Sequence, residues 1–181
     1  ESLMAPLLAK CTAVPVIEAQ DGMRIEVDHV YVIPPNEYLG VSAGILYLTK
    51  PGILHGAYAS LDFFLRSLAQ DQHEYAICII LSGTGASGTL GLKAIKASEG
   101  AAFVQDPATA EFPQMPESAI ATGLVDEVLP VERMPEALIE YGRRLRADEA
   151  HLARAADETS DALDQILALV GDEAHIDLRN H

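Results

Sequence analysis

Apolar residues along this chain change their spacing several times, and each change marks an element. "VPVIEA" (Val14 to Ala19) is a short β-type run, followed in "QDGM" by an Asp-Gly turn signal. "HVYVIPP" (His29 to Pro35) alternates apolar positions and stops at a double proline, which cannot continue a ladder. "YLGVSAGILYLT" (Tyr38 to Thr49) predicts a hairpin with Ser-Ala-Gly at its tip. From Ser60 the period becomes helical: "SLDFFLRSLAQDQ" sets Leu61, Phe64, Leu65 and Leu68 on one face, with Ser60 as N-cap. "YAICIIL" is an uninterrupted apolar run of the kind buried on both faces of a parallel sheet. "TLGLKAIKAS" reads as the next helix, closed by Gly100 as its C-cap residue, and "AAFVQD" as the next strand, which completes a βαβ unit. "PESAIATG" predicts a further short helix ending at Gly123, and "LVDEVLP" a last strand stopped by Pro130. This alternation implies an open, mainly parallel α/β sheet with an antiparallel region near its start.

From Pro135 the strand signal disappears, and the division expected is an α/β domain over 1–134 and a helical extension or linker over 135–181. Ala137, Leu138, Tyr141, Leu145 and Leu152 keep roughly helical spacing, and Thr159 or Ser160 could cap a helix whose apolar face holds Leu163, Ile166, Leu167 and Val170. Such a tail either packs back on the sheet, serves as a linker, or forms a homodimer contact. The chain opens on "ESLMAPLLAKC", an amphipathic helical pattern with no capping segment before it, so it is expected to be a piece of something longer.

Composition narrows the partners. The chain has 181 residues, 27 Asp and Glu against 12 Lys and Arg, and a formal net charge of -15. That balance argues against nucleic-acid and anionic-membrane surfaces, which reward clustered cations, and leaves a small molecule or a protein as partner. No apolar stretch approaches the roughly 20 residues that span a bilayer, and no signal-peptide pattern is present, so a cytoplasmic setting is expected. Cys11 and Cys78 are far apart, and Cys78 inside "AICIIL" reads as a small buried hydrophobe. His29, His73, His151, His175 and His181 lack metal-ligand spacing, and no metal or organic cofactor is expected.

The chemistry is expected in "LSGTGASGTLG", where Gly83, Gly85 and Gly88 spell G-x-G-x-x-G between a strand and a helix. In a dinucleotide-binding fold this turn cradles a pyrophosphate, and an acid about 20 residues on binds the ribose; Asp106 stands there. Asp106 followed by Pro107 can equally start a turn. The glycines can also serve only to let helix and strand pack closely. Ser82, Ser87, Ser60 and His55 are local hydroxyl and imidazole candidates, but no nucleophile elbow G-x-S-x-G surrounds any of them. The acids Asp126 and Glu127 read as a solvated face.

"HVYVIPPNEYLGV", "SLDFFLRSLA", "ILSGTGASGTLGLKAIK" and "FVQDPATAEFPQMPESAIATGLVDEVLP" follow one another as do the segments of the chemotaxis-receptor protein-glutamate methylesterases, and the chain resembles their CheB-type catalytic domain from Glu1 to about Tyr141. "LSGTG" and "GTLGLKAIK" are similar to the branch fused to a methyltransferase, and the helix after Thr159 resembles the start of that fused partner. The resemblance implies a doubly wound α/β sheet with helices on both faces, within a multidomain signalling protein. It also implies hydrolysis of glutamate methyl esters, with glutamine deamidation, on chemoreceptors, through a Ser-His-Asp triad and without a cofactor. In that triad the histidine takes the serine proton, and the acid orients the histidine and stabilises its charged form. The family's Ser and His belong to segments upstream of Glu1. Its Asp, in G-x-G-x-D-G, falls at Ser87, and its backbone oxyanion donor falls at Thr84, where the family usually has Met. Ser87 carries no charge, and losing that charge costs on the order of 10⁴ in turnover in serine proteases. The resemblance therefore implies an incomplete and inactive portion of an esterase, or a degenerate module of the same fold that binds a receptor or other partner.

Overall fold

The computed structural model describes residues 3–51 and 60–150. It divides into two compact units, Glu1–Glu132 and Arg133–His181. The first begins with one helical turn, α1 (Met4–Leu8), and then β1 (Val16–Glu18), β2 (Val30–Val32), β3 (Tyr38–Ser42) and β4 (Ile45–Thr49). β1 and β2 pair in parallel, Val16 opposite Val30, and β3 and β4 form the expected antiparallel hairpin. Ser42 still pairs with Ile45, so the hairpin tip is Ala43-Gly44, both at positive φ (52° and 70°), as a primed two-residue turn demands. The segment after Asp21 is also stitched to β4. Gly22 N–H donates to Leu46 O (2.9 Å), Leu46 N–H to Met23 O (2.7 Å), and the Asp21 carboxylate accepts from Leu48 N–H (2.8 Å).

The parallel sheet is built from β5 (Ile77–Ile80), β6 (Ala101–Gln105) and β7 (Glu127–Leu129), in that order, with α3 (Thr89–Ala97) and α4 (Gln114–Ile120) as crossovers. The α/β class read from the sequence is the class observed. Cys78 lies opposite Ala102 and Ile80 opposite Val104, and these four side chains form a buried cluster with Leu65, Ala69, Leu92, Ile95 and Ala119. α2 (Ser60–Gln72) lies over that cluster, and its Phe64 and Leu68 also pack against a second cluster of Ala19, Leu39, Val41 and Leu46.

Two expectations need correction, and a third needs an addition. Burial on both faces belongs to β6, all five of whose residues are buried, whereas β5 alternates. Ile79 is 40% exposed and Leu81 45%, because β5 stands at the end of the strand order among the described residues. Secondly, Gly100 is not the cap of α3. Ser98 is the C-cap, and the left-handed residue is Glu99 at φ 66°. Glu99 N–H donates to Lys96 O (3.2 Å) and Gly100 N–H to Ile95 O (3.0 Å), which is the Schellman pattern with a non-glycine at its left-handed position. Gly100 is small for a different reason: a Cβ there would meet Ala76 O at 2.4 Å. Asp126 is exposed, as expected of a solvated face, and it also serves as an anchor. It pairs with Lys96 Nζ (2.8 Å) and accepts from Ala102 N–H (2.7 Å), while Lys96 also donates to Gly100 O (2.8 Å).

In the second unit residues 134–150 form one helix, α5. Arg144 lies 5.9 Å from the centre of the Tyr141 ring, and Arg133 pairs with Glu136 at 3.7 Å. Leu152 and the helix expected after Thr159 lie outside the described residues.

Candidate functional site

β5 ends at Ile80, and the chain from Leu81 to Gly88 crosses the carboxyl end of the parallel sheet, where open α/β folds bind their ligands. The first half of this turn is tied to the loop that follows β6. Ser82 N–H donates to Gln105 Oε1 (2.9 Å), and the Ser82 hydroxyl accepts from Phe112 N–H (2.9 Å). Gly83 N–H donates to Phe112 O (2.9 Å) and Gly83 O accepts from Met115 N–H (3.0 Å). A Cβ at Gly83 would lie 2.2 Å from Met115 Sδ, so a side chain there requires Met115 to move.

The second half is open. Among the described residues the amides of Thr84, Gly85, Ala86 and Ser87 have no hydrogen-bond acceptor. Thr84 is exposed and Ser87 half-buried. The Ser118 hydroxyl donates to Gly85 O (3.4 Å), and both Thr89 N–H and the Thr89 hydroxyl donate to Ala86 O, so the carbonyls of this stretch are held back while its amides are left available.

Gly88 closes the turn as the N-cap of α3, at φ 91°. Its Cβ would come within 2.8 Å of Ile80 Cδ1 and 2.9 Å of Leu61 Cδ2, so Gly88 is fixed by conformation and by space together. Gly88 has no side chain to cap α3, and that role is filled from α2. The buried Asp62 carboxylate accepts from Gly91 N–H at 2.8 Å. The first turn of α3 itself has no acidic residue, so the Asp62 carboxylate from α2 is the acid that faces the positive end of its dipole. A row of free amides at a helix N-terminus can stabilise a developing oxyanion.

The remaining sequence candidates separate from this turn. Asp106 does not reach toward a ribose position; its carboxylate accepts from Ala108 N–H (2.9 Å) and starts the tight turn over Pro107–Thr109. Ser60 opens α2 and lines an apolar recess of about 230 Å³ with Tyr31, Ile33, Leu39, Leu61 and Phe64. His29 contacts Val27 O through Nδ1 (2.8 Å) and stacks on Tyr31, and His73 opens a 3-10 turn after α2. His55, His151, His175 and His181 lie outside the described residues. Sequence reasoning missed Gln105 and Asp62. The available signals were a polar residue ending the apolar run "AAFVQ" and an acid inside the apolar face of "SLDFFL".

Residues 1–138 match the model of the CheB methylesterase family. An uncharacterised 104.1 kDa protein of Rhodobacter capsulatus is 38% identical over 138 residues, covering 76% of this chain and 14% of that protein. The protein-glutamate methylesterase/protein-glutamine glutaminase of Thermotoga maritima is 32% identical over 141 residues, covering 76% of this chain and 41% of the relative. The crystal structure of the Thermotoga maritima CheB methylesterase catalytic domain superposes with a TM-score of 0.67 at 31% identity, over 76% of this chain and 75% of that one. The chain thus spans less than half the length of either relative.

Proposed function

The chain belongs to the CheB methylesterase family, and from that premise we propose that it forms one wall of a site that hydrolyses glutamate methyl esters, and deamidates glutamine, on chemoreceptors. The observation that carries this reading is the open half of the glycine turn, with its free amides at the start of α3. Thr84 N–H would hold the oxyanion that forms when a hydroxyl attacks the ester carbonyl. The nucleophilic Ser and the His would come from family segments that have no counterpart in this chain. Ser87 would stand where the family's acid supports the imidazolium, so the chain by itself is inactive and the assembled site is weak. The relative of 104.1 kDa supports a large multidomain parent. Two-component signalling in the cytoplasm is the setting proposed for it, with the segment 135–181 as helical extension and homodimer contact. Among the described residues no helix is long and apolar enough to cross a membrane.

The same charge loss supports a second reading, in which the fold is kept as a non-catalytic module that binds receptor. Methanol release from methylated receptor, measured with the full-length protein and with its Ser87→Asp variant, separates the two. The esterase reading expects a slow or silent parent and a gain of up to about 10⁴ on restoring the acid. Both proteins silent while receptor still binds would leave the binding reading in its place.

A further inference from the structure

Gln105 ends the central strand β6, is 6% exposed, and joins the two loops that frame the candidate site. Its Oε1 accepts from Ser82 N–H at 2.9 Å, and its Nε2 donates to Thr109 O at 3.1 Å and to the Thr109 hydroxyl at 3.3 Å. Reversing the side-chain amide would set its NH₂ against the Ser82 N–H and its oxygen against the Thr109 carbonyl, so the partners dictate one orientation. The loop on the Thr109 side is itself fixed. The Thr109 hydroxyl donates to Asp106 O (2.9 Å), and Asp106 accepts from Ala108 N–H (2.9 Å). On the other side the tie is to Ser82, two residues before Thr84 and at the point where the turn leaves the sheet.

We propose that Gln105 is a positioning residue: it sets the glycine turn at a fixed height against the 106–109 loop, and thereby aims the free amides from Thr84 to Ser87. Without it the Ser82 N–H has no acceptor from β6, and the turn is free to move about its remaining ties at Phe112 and Met115. An amide displaced by about 1 Å from an oxyanion loses much of its effect, on the order of a hundredfold in turnover. The positional role stands on geometry alone; its consequence for turnover rests on the esterase reading above.

The test compares the full-length protein with Gln105→Met, which keeps the length of the side chain but none of its hydrogen bonds, and Gln105→Glu, which keeps only the acceptor facing Ser82. Amide hydrogen exchange is the first readout. In Gln105→Met exchange at Ser82 and Gly83 is expected to rise about tenfold, the worth of one hydrogen bond, while Ile80 and Val104 keep their protection. Gln105→Glu is expected to restore protection at Ser82. Kinetics are the second readout, with kcat for Gln105→Met falling about a hundredfold and KM little changed. Native exchange at Ser82 and Gly83 in Gln105→Met overturns the proposal. So does loss of protection at Ile80 and Val104 together with the turn, or a failure of Gln105→Glu to restore Ser82. If no esterase activity exists to measure, the exchange result still decides the positional role, and only the function proposed above falls.

Discussion

Cys78 shows how one residue's surroundings set its chemistry. It is 2% exposed on β5 of the parallel sheet, and burial pushes its thiol up from 9.0 to about 12, with the Asp126 charge adding to the rise and Lys96 opposing it. The native state therefore keeps a proton that the unfolded chain gives up near pH 9. Between pH 9 and 12 the native state binds more protons, so stability must fall as pH rises, by about 1.4 kcal/mol per pH unit for this one group. Urea unfolding from pH 8 to 10.5 on wild type and Cys78→Ala checks this. The variant should start lower, by about 1 kcal/mol for the small cavity, and then decline less steeply. Parallel profiles would rule out a thiol contribution. The sequence already marked Cys78 as buried, since it sits inside an apolar run. It could not show that Lys96 and Asp126, 18 and 48 positions further on, would become the nearby charges.

At the scale of elements, helices and strands were legible because each rests on local spacing. α2 covers Ser60–Gln72 as its apolar face implies, although Ser60, expected as the N-cap, is already helical, and β6 covers the apolar run before Asp106. What depends on neighbours was not legible: which strand lies at the sheet's end, and why Gly100 must be small. The end of α3 turns that gap into a prediction. Glu99 holds a left-handed conformation that costs a residue with a Cβ about 1 kcal/mol, so Glu99→Gly should raise the thermal midpoint. Gly100→Ala should lower it, because the new methyl meets Ala76 O. Opposite signs at adjacent positions in one melting series are the expected outcome; a loss at both would mean that Glu99 makes a contact outweighing its backbone strain. The candidate site divides in the same way. Gly83, Gly85 and Gly88 announced the turn, while Gln105, which ties it down from 23 positions away, left only one polar letter at the end of a strand.

For the whole molecule, the α/β unit from Glu1 to Glu132 and the unit from Arg133 pose separate questions. α5 presents Leu138, Tyr141 and Leu145 at helical spacing, and the apolar pattern of the sequence continues beyond residue 150. If this tail is the homodimer contact, a chain ending at Tyr141 should halve its mass in light scattering, and an unchanged mass would refute that role. Within the first unit, α2 carries a different consequence. Phe64 and Leu68 pack against both apolar clusters, so shedding the hairpin while keeping the parallel sheet would uncover one side of each, at a cost below the about 1.5–3 kcal/mol of a fully exposed side chain. That penalty couples the two cores into one melting transition, and the glycine turn persists or is lost with the unit as a whole rather than fraying by stages.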